Sequence, residues 1–140
     1  MPDDASGDIK YTPVSKIKTG HYIVIDGEPC RVVDLSKSKP GKHGAAKARI
    51  VAVGVFDGVK RSIIKPVSDK IPVPMIHKKE GQVISVSGDS VEVMDSETYD
   101  VIVMPLPEDE AIRNKITEGT YVEYWIMVGK AKIVSLKKTR

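Results

Sequence analysis

Cysteine is almost missing from this 140-residue chain: Cys30 stands alone. One thiol excludes an intrachain disulfide framework and a zinc site built on cysteines, and it accords with a reducing compartment. Aromatic residues are also scarce, at 5%, with one Trp and one Phe. A binder of single-stranded nucleic acid stacks bases on several exposed rings; in the second half only Tyr99, Tyr121, Tyr124 and Trp125 could serve. The three histidines, His21, His43 and His77, show no metal-ligand spacing. No apolar run approaches the roughly 20 residues that span a bilayer. The acidic, polar start MPDDASGDIK lacks the charged-then-apolar pattern of a secretory signal. These absences set the expectation of a soluble, cytoplasmic protein.

Catalytic patterns are missing too. No serine sits in a GxSxG context, and no GxGxxG follows a strand. Gly41-Lys42 superficially matches a phosphate loop. That motif requires Gly where Ser36 stands and Ser or Thr where His43 stands. The acidic cluster Glu108, Asp109, Glu110 reads as the first turn of a helix, where carboxylates suit the helix dipole. With no acid–base or nucleophile set in view, the expectation is a protein that is not an enzyme, with no metal and no catalytic residue.

What is present is strand chemistry. Hydrophobic residues make up 41% and charged residues 29%, with 11 Gly and 9 Pro among many β-branched side chains. That mixture favours short strands and turns. Strands are expected at 21–25, 30–35, 47–56 and 59–65, with Asp26-Gly-Glu-Pro29 and Asp57-Gly58 as turns. Ile71-Pro-Val-Pro-Met-Ile-His77 reads as a stiff connector, because proline removes ladder donors. Strands resume at 82–86, 90–94 and 99–104. A helix follows over 108–116, with Ile112 and Ile116 on one face, then strands at 121–128 and 131–136. In the strand after the helix, Tyr121, Glu123 and Trp125 share the wetter face and Val122, Tyr124 and Ile126 the other.

This pattern predicts an all-β protein of two small barrels, 1–72 and 73–140. Five strands with an inserted helix are compatible with an OB-type barrel in the second. A single nine-stranded sandwich fits the strand count as well. The charge is divided along the same line. Residues 1–72 carry 13 Lys+Arg against 8 Asp+Glu, and residues 73–140 carry 9 against 11. A basic first half points to a surface that meets phosphate.

The basic character concentrates in one place. From Ser36 to Phe56 there is no Asp or Glu, while Lys37, Lys39, Lys42, Lys47 and Arg49 all fall in that span. An unneutralised cationic stretch attracts polyanions. Pro40, Gly41 and Gly44 flank Lys42-His43; glycine permits a tight reversal that pushes a side chain outward. The amine of Lys42 would then reach into a narrow cleft.

Ser36-Lys-Ser-Lys-Pro-Gly-Lys-His-Gly-Ala-Ala-Lys-Ala-Arg49 resembles the hypusine loop of the translation factor 5A family in its archaeal form, related in architecture to bacterial elongation factor P. Asp26-Gly-Glu-Pro29, the Pro-rich connector and Val86-Ser-Gly-Asp-Ser-Val-Glu-Val-Met94 stand where that family places them. The resemblance implies an SH3-like barrel carrying the modification loop (36–46), followed by an OB-fold barrel. It implies a monomeric translation factor that binds the ribosome near peptidyl-tRNA and promotes peptide bonds at stalls such as proline runs. By position, Lys42 is the residue that deoxyhypusine synthase extends with an aminobutyl group from spermidine. Gly41 and Gly44 would shape the tip and Pro40 would stiffen it. Lys37, Lys39, Lys47 and Arg49 would contact RNA backbone without reading sequence, and His43 would contact either the modifying enzyme or tRNA. Many eukaryotic members have His where Ala45 stands, which leaves hypusine and deoxyhypusine both open as the final form. From the residues alone, a general RNA-binding barrel protein with no modified lysine is the alternative.

Overall fold

The computed structural model describes residues 9–38 and 46–137. The chain divides into two compact units, Met1–Met75 and Ile76–Arg140.

Six strands build the described part of the first unit: β1 (Ile9–Pro13), β2 (Tyr22–Ile25), β3 (Glu28–Ser38), β4 (Lys47–Gly54), β5 (Lys60–Pro66) and β6 (Lys70–Pro74). A 3-10 turn, Val14–Lys16, follows β1. β2-β3-β4-β5 form an antiparallel meander, and β1 pairs with β6 in a separate ribbon. The β2–β3 hairpin turns through Asp26 and Gly27, both at positive φ (52° and 80°). That is the backbone a two-residue primed turn demands, and it matches the twist of the flanking strands. Inward positions alternate along the strands. Ile23, Cys30, Val32, Ala48, Ile50 and Ala52 are all fully buried, and Val14 and Ile71 close the core from the ribbon side.

Three expectations change here. The segment read as a connector is largely strand: residues 70–74 form β6, paired from Ile9↔Pro74 to Pro13↔Lys70. Its prolines are accommodated because a two-stranded ribbon has a free side, where a missing N–H costs no ladder bond. β1 itself begins at Ile9, ahead of the first strand expected from the sequence at 21–25. Lastly, β3 runs on through Ser36, Lys37 and Ser38, so the basic loop is shorter at its start than its composition implies.

The second unit holds β7 (His77–Ser87), β8 (Ser90–Asp95), β9 (Val101–Pro105), helix α1 (Glu110–Arg113), β10 (Tyr121–Met127) and β11 (Lys130–Leu136). The sheet order is β11-β10-β7-β8-β9, all antiparallel. Val83, Val91, Val93, Met104, Val122, Tyr124 and Ile133 form its core, with Ile116 beneath the helix end. The expected helix shortens to four residues. Asp109 caps it, its Oδ1 accepting from the Ala111 N–H at 2.9 Å, so the acidic cluster is partly cap and dipole chemistry. Ile112 and Ile116 still face the core together.

Candidate modification and RNA-binding hairpin

The strands that carry the basic loop are placed by burial on one face. Along β4, Ala48 and Ile50 are fully buried, while Lys47 and Arg49, which alternate with them, are exposed. The β3–β4 register pairs Leu35↔Ile50, Ser36↔Arg49, Lys37↔Ala48 and Ser38↔Lys47. Directly opposed residues share a face, so Ser36, Ser38, Lys47 and Arg49 lie on the outer side. Lys37 shares the row of Ala48 at the rim of the core, yet its side chain is exposed. No carboxylate among the described residues pairs with Lys37, Lys47 or Arg49. The hairpin thus delivers unneutralised cations on both strands to the point where the loop begins.

Of the expected site residues, Lys47 and Arg49 share the outer face, and Lys37 stands at the same end of the hairpin in the row of the other face. Lys39, Pro40, Gly41, Lys42, His43 and Gly44 lie outside the described residues. One cation at the base of the loop was missed by the linear reading. Lys65 of β5 falls opposite Ala48, and so in the same cross-strand row as Lys37. Its sequence position carries no signal, since the register alone brings it there.

The far end of β4 is built differently. Lys47 and Gly54 are separated by about 23 Å of strand. There Arg61 grips Asp57 with both nitrogens, at 3.2 Å (Nη1) and 2.9 Å (Nη2). Asp57 also accepts from the Val59 N–H at 3.0 Å. The Arg61 hydrogen bonds, followed by that of Val59, hold the Asp57 carboxyl at about 2. Arg61 Nη1 lies 3.9 Å from the Cys30 sulfur. Burial pushes that thiol upward despite the guanidinium, so Cys30 stays an inert, protonated core residue. Gly54 makes the arrangement possible: a Cβ there would stand 1.9 Å from Asp57 Oδ1. Gly54→Ala is therefore expected to cost roughly 1–3 kcal/mol by overpacking. Adding Asp57→Ala, which vacates the space, should recover part of the loss. Urea denaturation of the two variants checks this; no recovery would mean that the clash is not with the carboxylate.

In the second unit the aromatic candidates separate. Tyr124 is fully buried, Trp125 is half-buried, and Tyr99 and Tyr121 are exposed. Lys78 Nζ sits 4.9 Å from the centre of the Trp125 ring, a cation–π contact across the β7–β10 register. The Tyr124 hydroxyl donates to Asp95 Oδ2 at 2.5 Å. Asp95 Oδ1 accepts from the N–H groups of Glu97 and Thr98 at 2.8 and 2.9 Å, and Lys79 Nζ is 3.8 Å from Oδ2. Burial pushes the Asp95 carboxyl up. The Tyr124 hydrogen bond, the Thr98 and Glu97 N–H groups and Lys79 outweigh that and hold it at about 2. Burial, then the bond to Asp95, pushes the Tyr124 phenol well above its ordinary value. Every acceptor position of the carboxylate has structural work, so this is a brace between β8 and β10. Among the described residues no group of three or more His, Cys, Asp or Glu could hold a metal ion, and no helix is long and apolar enough to cross a membrane.

Comparison with known proteins accounts for both units. Residues 9–69 match the family model "Translation initiation factor 5A-like, N-terminal". Residues 75–137 match "Eukaryotic elongation factor 5A hypusine, DNA-binding OB fold". The translation initiation factor 5A of Pyrococcus furiosus is 53% identical over 133 residues, covering 94% of this chain and 96% of the relative. That of Methanopyrus kandleri is 51% identical over 130 residues, covering 93% and 96%. The solved structure of the factor 5A from Methanococcus jannaschii superposes with a TM-score of 0.84 at 43% identity, over 92% of this chain and 95% of that one. The two units are thus the SH3-like and OB-fold barrels expected from the hypusine-loop resemblance, and the chain belongs to the translation factor 5A family.

Proposed function

We propose that this chain acts on the ribosome, beside peptidyl-tRNA, and promotes peptide-bond formation at stalled sites such as proline runs, and that Lys42 carries hypusine or deoxyhypusine as the acting group. The observation that supports this most is the β3–β4 hairpin: exposed, unpaired cations on both strands flank the segment holding Lys42, in a chain of this family. Lys37, Lys47 and Arg49, with Lys65 beside them, hold RNA phosphates without reading sequence. The factor contributes positioning, and the bond-making chemistry belongs to the ribosome. The factor itself is not an enzyme, works in the cytoplasm and acts as a monomer.

Deoxyhypusine synthase would supply the modification. The aminobutyl group of spermidine moves to Lys42 Nζ: a new C–N bond forms there, the bond to the secondary amine of spermidine breaks, and 1,3-diaminopropane leaves. The product adds length and a second cationic nitrogen without bulk. Peptide mass spectrometry of protein purified from its own organism is expected to show the aminobutyl addition on the peptide containing Lys42. One further oxygen would identify hypusine over deoxyhypusine. An unmodified Lys42 in native material would overturn the reading in favour of a general RNA-binding barrel protein.

A further inference from the structure

The second unit contains a stretch whose charge in sequence is opposite to that of the hairpin, while in space Lys137, Arg113 and Lys79 pair with its Glu80, Asp89 and Asp95. Between Glu80 and Ile112 the chain carries nine carboxylates and no lysine, arginine or histidine. Within that acidic stretch lies an apolar stripe. Ile102 and Met104 of β9 turn inward to the core. Val101 and Val103 turn outward, 50% and 62% exposed. An antiparallel strand with one wet face ordinarily carries polar residues at those positions; here Val101 lies opposite half-buried Met94 and Val103 opposite Glu92 of β8, and both valines remain half exposed or more.

Tyr99, two residues before Val101, is 69% exposed. Its backbone lies in the left-handed region at φ 65°, where a bulky side chain is an outlier and Gly or Asn would serve with less strain. The loop around it is held rigidly. Asp95 N–H donates to the Asp100 carbonyl at 2.8 Å, and Tyr99 N–H donates to the Asp95 carbonyl at 2.9 Å. The Asp95 carboxylate meanwhile binds the Glu97 and Thr98 N–H groups. A fixed loop therefore holds an exposed aromatic ring beside an exposed aliphatic stripe, with exposed Glu97 and Asp100 at its edge. Rigid aromatic anchors of this kind lose little entropy on association and dominate interface energies.

We infer that Tyr99, Val101 and Val103, with Glu97 and Asp100, form a docking surface for an extended protein segment in which Lys or Arg alternates with apolar residues. The carboxylates select the partner: they repel the phosphates of RNA and attract cationic side chains. The aliphatic stems of such side chains cover valine while their charged heads reach the acidic rim. A guanidinium or ammonium also packs on a tyrosine face.

The test uses the full chain, isotopically labelled, and two synthetic peptides of equal length and charge. One alternates Lys/Arg with Leu, the other Lys/Arg with Ser. The Leu peptide is expected to bind at least about tenfold more tightly, with backbone amide shifts centred on residues 97–103. Tyr99→Gly relieves the left-handed backbone, so it should keep or raise the thermal midpoint while losing about tenfold in affinity. Val103→Thr keeps the β-branched shape and should lose several-fold. Equal binding of the two peptides, shifts centred elsewhere, or undiminished binding by Tyr99→Gly would overturn the assignment. So would a poly(U) oligomer that reproduces the same shifts, or self-association of the chain that Tyr99→Gly abolishes.

Discussion

Lys42→Arg is expected to leave the protein folded and to reduce its rescue of a proline-run stall to the level seen with no factor. The substitution preserves the positive charge and nearly the length of the side chain. A purely electrostatic role for this position, as in a general RNA-binding protein, would therefore survive it. The modified role cannot survive. A guanidinium stays protonated at any physiological pH and offers no free amine to form the new C–N bond. The measurement is translation of a reporter containing a proline run, in an extract depleted of the endogenous factor. It should be supplemented with wild-type protein or the variant after exposure to the modifying enzyme and spermidine. Salt-dependent binding of the variant to RNA should match the unmodified wild-type protein, since the phosphate contacts are the same in number. Full activity of Lys42→Arg would overturn the proposed function while leaving family membership untouched.

The second large effect concerns the brace in the OB-fold unit. Asp95→Ala removes the acceptor for a buried phenol and for two backbone N–H groups at once. Leaving such groups unpaired costs roughly 3–5 kcal/mol. A unit of this size holds only about 3–10 kcal/mol in total, so much of the variant should be unfolded in that unit. Tyr124→Phe removes one bond and keeps the ring in the core, and should cost about 1–3 kcal/mol. The single tryptophan, Trp125, adjoins Tyr124 in β10, so its fluorescence reports unfolding of this unit. Asp95→Ala retaining the wild-type urea midpoint would refute the brace.

The same carboxylate sets an acid limit. Its folded value of about 2 lies below the ordinary 3.8. The depressed value means that the unfolded chain binds the proton more readily. The contribution to stability is therefore complete above about pH 4 and is lost as pH falls toward 2. Its size is roughly 2–3 kcal/mol. Urea midpoints recorded by Trp125 fluorescence between neutral pH and pH 2 should fall over that window, and less steeply in Asp95→Asn.

Much of the protein was legible in its residues because the relevant interactions are local. Apolar runs and apolar–polar alternation between turn signals located nine of the strands, since both are local in the chain. Asp26-Gly27 forms the hairpin turn because both positions need positive φ. The absence of acid between Ser36 and Phe56 marked the cationic hairpin, and the residues around Lys42 carried the family resemblance. The face assignment in β10 also held, with Val122 and Tyr124 buried and Trp125 toward the wetter side.

Other features depended on residues far apart in the chain. β1 and β6 became visible as strands only through their mutual pairing, Ile9–Pro13 with Lys70–Pro74; neither segment alternates clearly, and two prolines argue against a strand until the free edge is known. Lys65 reached the base of the loop through the β4–β5 register. Asp95 found Tyr124 across 29 residues of sequence, and Val101 and Val103 were distinguished from core valines only by the side of the sheet on which they fell. Backbone periodicity determines which residues share a face, whereas which faces meet is decided by long-range pairing, whose reward comes only after the intervening chain has been closed into loops.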